Sequence, residues 1–240
     1  MHIPDGFIDA PTSLAAGAVA VGGLAVCLHK SAEVMEEKQA PLAGLVAAFL
    51  FAVQMLNFPV AGGTSGHLLG GALAAVLVGP YLGALCVTVV LTVQALLFAD
   101  GGLSALGLNV VNMALVGAFA GYGVFLLARR YLPATRSGIA AASGVAALLS
   151  VVLASTAFTV EYAIGGTGGA SLGRVAGAML GVHVLIGIGE ALITTVAVST
   201  VLAARPDLVH GAVGRLAAAQ ANRPGPSTTT GPEPATALGG

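Results

Sequence analysis

The chain has 240 residues, of which 57% are hydrophobic and 8% charged, with a mean hydropathy of +0.96. A soluble domain carries about 25% charged residues, so this composition marks an integral membrane protein. A net charge of −1 supplies no basic field for nucleic acid, which is excluded as a partner.

The chain opens Met1-His2-Ile3-Pro4-Asp5-Gly6-Phe7. This polar, acidic start lacks the basic segment and short apolar core of a cleavable signal peptide, so Met1 is expected to be the mature first residue. A side chain as large as His2 is also expected to hinder removal of the initiator Met. Residues 1–11 therefore read as a head, 12–204 as a transmembrane helical domain, and 205–240 as a cytoplasmic, largely disordered tail whose end, 223–240, is rich in Pro, Thr and Gly.

Apolar runs can be measured against the ~20 residues that a helix needs to cross ~30 Å of hydrocarbon. They cover 12–28, 42–56, 68–78, 81–98, 103–128, 138–159 and 175–204. The expected fold is an all-α bundle of seven transmembrane helices. Six is the competing count, because the third run is too short to span unless residues 62–67 or the Gly79-Pro80 turn lengthen it. Strands are excluded by the length of the runs and their lack of polar alternation. With seven helices and the amino terminus outside, the inside segments hold Lys30, Lys38, Arg129, Arg130, Arg136, Arg205, Arg215 and Arg223, and Arg174 alone lies outside. That asymmetry follows the positive-inside rule and places the carboxyl terminus in the cytoplasm. The head and the loop Gly62-Gly63-Thr64-Ser65-Gly66-His67 then share the outer face.

Sharing a face gives the two segments a common chemistry. The Met1 amine, the His2 backbone nitrogen and the His2 imidazole can close fused five- and six-membered chelate rings on one metal ion if the ion displaces the amide proton. His67 can supply a fourth nitrogen. A square nitrogen plane favours Ni(II) or Cu(II), with Co(II) next. It suits zinc poorly, since only two imidazoles are offered and zinc prefers a tetrahedral set. Because the Met1 ligand is its backbone amine, the Met1 side chain is expected to be replaceable and the chain start is not. The competing readings are an incidental His2 in a solvated head and a His67 that caps a helix or meets a lipid headgroup.

Other polar residues sit in apolar surroundings. Gln54, Asn57, Gln94, Asn109 and Asn112 lie near outer helix ends, where they bridge helices or, for Asn109 and Asn112 with Ser65, support the metal ligands. His183 and Glu190 lie two turns apart on the last helix, and a structural hydrogen-bonded role is favoured there over a proton-linked path. Cys27 and Cys86 lack a CxxC spacing and read as small hydrophobes.

Three blocks carry a resemblance: the opening heptapeptide, Gly63-Thr64-Ser65-Gly66-His67-Leu68-Leu69-Gly70-Gly71, and Gln94 through Asp100-Gly101-Gly102 to Asn109-Val110-Val111-Asn112-Met113. In this order they resemble the CbiM/NikM family, the substrate-binding S components of energy-coupling-factor (ECF) transporters for cobalt and nickel. The resemblance spans about residues 1–204. It implies a metal held near the outer membrane face by Met1, His2 and His67, with Co2+ or Ni2+ as transported substrate and no cofactor. It also implies separate partners: a transmembrane coupling (T) protein, ATPase subunits and a small accessory membrane protein. The chain itself is then no enzyme, in keeping with the lack of a GxxxxGK[ST] phosphate loop. Ala43 and Ala47 resemble the AxxxA contact through which S components meet the coupling protein, a spacing that generic helix packing also produces. The implied setting is a bacterial cell membrane, with ATP hydrolysis in the partners toppling the S component to present its ion inward. Cobalt, for cobalamin synthesis, is the preferred substrate from overall resemblance, with nickel the alternative. The rivals from other classes are an intramembrane hydrolase built on Ser65, for which no Gly-x-Ser-x-Gly elbow exists, and a metal carrier that acts alone.

Overall fold

The computed structural model of the protein describes residues 1–34, 39–56, 58–59, 65–216 and 218. Of the residues discussed above, Lys38, Asn57, Gly62, Gly63, Thr64 and Arg223 lie outside that set, as does the side chain of Ser65.

The described chain is helical, apart from a two-residue pairing of Phe58–Pro59 with Ser65–Gly66 and single-residue bridges. Seven helical segments occur before residue 205, here α1 (Ala10–Val34), α2 (Gln39–Gln54), α3 (Gly71–Val78), α4 (Pro80–Leu97), α5 (Leu106–Tyr131), α6 (Arg136–Gly165) and α7 (Leu172–Ala204). Five of them, α1 and α4 to α7, are long and apolar enough to cross a membrane. The helix α2 has 16 residues and α3 only 8, a rise of about 12 Å that covers less than half of a bilayer core.

The short helix α3 is the centre of the bundle. Every one of its residues is buried, and it touches α2, α4, α5, α6 and α7. Small residues allow that approach: a methyl group on Gly71 would stand 2.6 Å from the Gly117 backbone of α5. Helices in lipid gain little from hydrophobic exclusion and associate through such close backbone packing. Within α5, residues Val110–Ala120 form π-helix between two α-helical stretches. A π stretch is a frequent companion of functional sites, and here it adjoins Asn109, which reaches the head.

Residues 206–212, assigned to the tail by composition, pack on the body. Two 3-10 turns, Pro206–Leu208 and His210–Ala212, bury Val209 and Ala212, and the Arg129 guanidinium donates to the Gly211 carbonyl at 3.3 Å. Arg129, Arg136 and Asp207 line one cavity with Ser31 and Gln39, so the basic residues gather at the end of the bundle opposite the head. Cys27 and Cys86 are buried free thiols, and Cys86 donates to the Ala43 carbonyl at 3.5 Å. Ala43 and Ala47 are half-buried and pack against the core.

Candidate metal site

The head is a plug. Met1, His2 and Ile3 are 1%, 3% and 0% exposed, which for a chain start requires dedicated partners. Asn109 provides them: its Oδ1 accepts the Ile3 backbone N–H at 2.8 Å and its Nδ2 donates to the Ile3 carbonyl at 3.2 Å. The Gly102 N–H also donates to the Ile3 carbonyl at 2.8 Å. One step outward, the Asp5 carboxylate accepts from the Ser104 N–H at 2.7 Å and its hydroxyl at 2.6 Å. Ser104 also holds the Asp5 carboxyl below the usual carboxylate range. On the other flank, the Thr167 N–H donates to the Phe7 carbonyl at 3.1 Å and the Asp9 N–H to that of Gly165 at 2.7 Å. The Phe7 ring packs 5.2 Å from Tyr162 and 5.9 Å from Phe158. The head is thus strapped between the α4–α5 and α6–α7 loops.

His67 comes from the opposite direction. The carboxylate of Glu190, at the middle of α7, accepts the N–H of Leu69 at 2.6 Å and of Gly70 at 2.9 Å, and Gln54 donates to the Leu69 carbonyl at 2.6 Å. These bonds occupy backbone donors that the start of α3 leaves open. They also fix the segment that runs from His67 into α3 deep in the bundle, with His67 itself 0% exposed.

The two imidazoles meet with ring centroids 4.6 Å apart. His67 Nδ1 lies 2.7 Å from the Leu68 carbonyl; a carbonyl only accepts, so Nδ1 carries the proton and Nε2 keeps a lone pair. That Nε2 is buried and has no hydrogen-bond partner among the described residues. His2 Nε2 faces the Asp100 carboxylate at 3.6 Å, which leaves Nδ1, the nitrogen a chelate through the chain start requires, for an ion. Gly101 lies against this edge at φ +95°, and a methyl group there would stand 3.0 Å from His2 Nδ1. The preceding Ala99 is held at φ 51°, a left-handed conformation that a non-glycine residue adopts only when its surroundings impose it.

Burial keeps all three groups neutral. It lowers the Met1 amine from 8.0 to about 4, against the opposing pull of the Asp100 charge. It lowers His2 well below the ordinary histidine value, with the nearby amine charge adding to the effect. His67 is likewise lowered by burial, then by the charges of the amine, His2 and His183, against its bond to Leu68. Nitrogens in this state offer lone pairs at neutral pH. Among the described residues no three His, Cys, Asp or Glu side chains cluster to hold a metal, so a nitrogen set here needs the chain's own amine and amide.

Of the residues singled out from the sequence, the structure brings Met1, His2, His67 and Asn109 together. Asn112 instead donates to Glu161 at 2.6 Å, and Ser65 is described only through its backbone pairing. Glu190 has the favoured structural role. Asp100 was not singled out, since in sequence it is an ordinary loop acid; only its position beside both the amine and His2 reveals it.

The family model for the cobalt uptake substrate-specific transmembrane region, CbiM, matches residues 2–208. A protein of Archaeoglobus fulgidus provisionally named a fused nickel transport protein, NikMN, is 43% identical over 221 residues, 91% of this chain and 72% of the relative. The cobalt transport protein CbiM of Sorangium cellulosum is 33% identical, covering 87% of this chain and 94% of its own length. A crystal structure of a truncated transition metal transporter superposes with a TM-score of 0.79 at 31% identity, covering 85% of this chain and 99% of that one. The chain belongs to the CbiM family of cobalt and nickel transport proteins.

Proposed function

We propose that the chain is the substrate-binding membrane component of an ECF importer for divalent cobalt, with nickel the alternative ion, and that Met1, His2 and His67 hold the ion. The observation that carries this reading is the burial of an uncharged amine beside two imidazoles 4.6 Å apart, with His67 Nε2 lacking a hydrogen-bond partner among the described residues. The site's charges also balance. A divalent ion brings two positive charges, the displaced His2 amide proton removes one, and the Asp100 carboxylate opposes the other, so the buried complex is close to neutral.

Asp100→Asn removes that balance and weakens the hold on His2. Second-sphere changes of this kind cost about 10–100-fold in metal affinity, and competition against a chelator of known affinity is expected to show a loss in that range. Proton release provides a second prediction. A protein whose amine and imidazoles are already neutral gives up only the amide proton on binding, so cobalt affinity is expected to rise about tenfold per pH unit between roughly pH 5 and 7.5. An amine retaining its ordinary value of 8.0 would steepen that slope to about a hundredfold. Calorimetry in buffers of different ionisation enthalpy counts the protons directly.

Transport in this reading needs partners: a transmembrane coupling protein, for which Ala43 and Ala47 are the candidate contact, together with ATPase subunits and a small accessory protein. The head faces outward in the cell membrane. Opening of its straps at Ser104 and Thr167 admits the ion, and ATP hydrolysis in the partners topples the component to release it inward. Proteoliposomes test this. ATP-dependent cobalt uptake only when all subunits are present is expected, and cobalt flux through this chain alone would show a stand-alone carrier instead.

A further inference from the structure

We infer that the cavity at the end of the bundle opposite the head binds the phosphate headgroup of an anionic phospholipid. The cavity measures about 1350 Å³ and lies where α2 to α6 meet the turns at Pro206–Leu208 and His210–Ala212. It shares no residue with the metal site.

Its charges suit an anion. Arg129 and Arg136 line it, and Asp207, the acid that lines it among the described residues, accepts from the Arg205 guanidinium at 3.0 and 2.8 Å. Burial, and then the Arg129 charge, lower His210 below the ordinary histidine value, so the positive charge belongs to the two arginines. The first turns of α4 and α6 border the cavity through Tyr81-Leu82 and Thr135-Arg136. The first N–H groups of a helix have no acceptor within it, and the helix dipole favours a negative group at that end.

Ser31 points independently to a ligand. It is 3% exposed and borders the cavity, yet its hydroxyl has no hydrogen-bond partner among the described residues. The hydroxyls of Thr88, Ser143 and Ser150 donate to a carbonyl three or four residues back in their own helices, and that of Ser31 does not. A buried hydroxyl without a partner is rare, and a phosphate oxygen accepts from it as it does from a guanidinium.

The rest of the lining favours a lipid over a soluble phosphate. Leu42, Leu77, Leu82 and Leu216 form an apolar wall beside the arginines, and the volume far exceeds that of one phosphate. A phospholipid carries its phosphate and its apolar chains on one molecule and satisfies both walls. With the head outward, this end lies in the cytoplasmic leaflet, where basic pockets between helices hold anionic headgroups.

Native mass spectrometry of the full-length, delipidated protein tests the site with dioleoyl phosphatidylglycerol and phosphatidylcholine as probes. One phosphatidylglycerol is expected to bind about tenfold more tightly than phosphatidylcholine, whose choline cation the arginines repel. Arg136→Gln and Ser31→Ala are each expected to remove most of that preference. Arg130→Gln, which removes an exposed charge outside the cavity, is expected to leave it intact. Cobalt binding by each variant reports that it is folded. Equal binding of the two lipids, or a preference that survives Arg136→Gln and Ser31→Ala, overturns the proposal. So does displacement of the lipid by millimolar inorganic phosphate, which makes this a site for a soluble anion. Loss of ATP-dependent uptake in Arg136→Gln at unchanged lipid affinity also overturns it, and assigns the cavity to a partner protein.

Discussion

A single residue added ahead of Met1 is expected to abolish binding of cobalt and nickel in the buried pocket shared with His67, with a loss of His67-dependent affinity on the order of 10³-fold or more, since metal binding energies of this class are large. The added residue turns the Met1 amine into an amide, and the amine, two amides and His2 imidazole it then offers can close on an ion only outside the enclosed pocket and without His67. Space compounds the effect: the Met1 side chain is 1% exposed and its amine is enclosed, so there is no room for a further residue. The side chain itself is a separate matter. The sequence reading made it replaceable, but Met1 is among the largest fully buried side chains of the core, so truncation leaves a cavity costing about 2–5 kcal/mol. Titration calorimetry of the extended chain beside His2→Ala separates the two effects, because His2→Ala keeps the amine and the backbone nitrogen in place and removes only the imidazole.

Glu190→Ala is expected to be the most damaging substitution to stability. It leaves the Leu69 and Gly70 N–H groups without their acceptor at the middle of α7, each buried orphan costing about 1–3 kcal/mol. No water is available at that depth to replace the carboxylate. The His67 loop then loses its anchor, so metal affinity should fall together with thermal stability in detergent. Glu190→Gln keeps one acceptor oxygen and is expected to fall between the two. A fully stable Glu190→Ala protein would show that the carboxylate does not hold the loop.

The sequence announces the helices because continuous apolar runs need no tertiary context: the runs at 81–98 and 175–204 differ from α4 and α7 only at their ends. It also points to the head and His67, whose imidazole rings the structure brings to 4.6 Å of each other. What it hides is long-range. The bond between Glu190 and Leu69 joins residues 121 positions apart, and nothing in either apolar run predicts it. The same is true of Asp100 beside His2. The π-helical stretch Val110–Ala120 is also silent in sequence, because an apolar run looks alike in α and π form. The packing of residues 206–212 is likewise silent in sequence, because it depends on two short turns and not on a long hydrophobic run.

The most direct test of the central claim is X-ray absorption at the nickel edge of the loaded, full-length protein. A plane of four nitrogen donors, including histidine, and no sulfur is expected, with the square-planar edge feature lost in both His2→Ala and His67→Ala. A six-coordinate, oxygen-rich spectrum, or a nitrogen plane unchanged by those two variants, would contradict it.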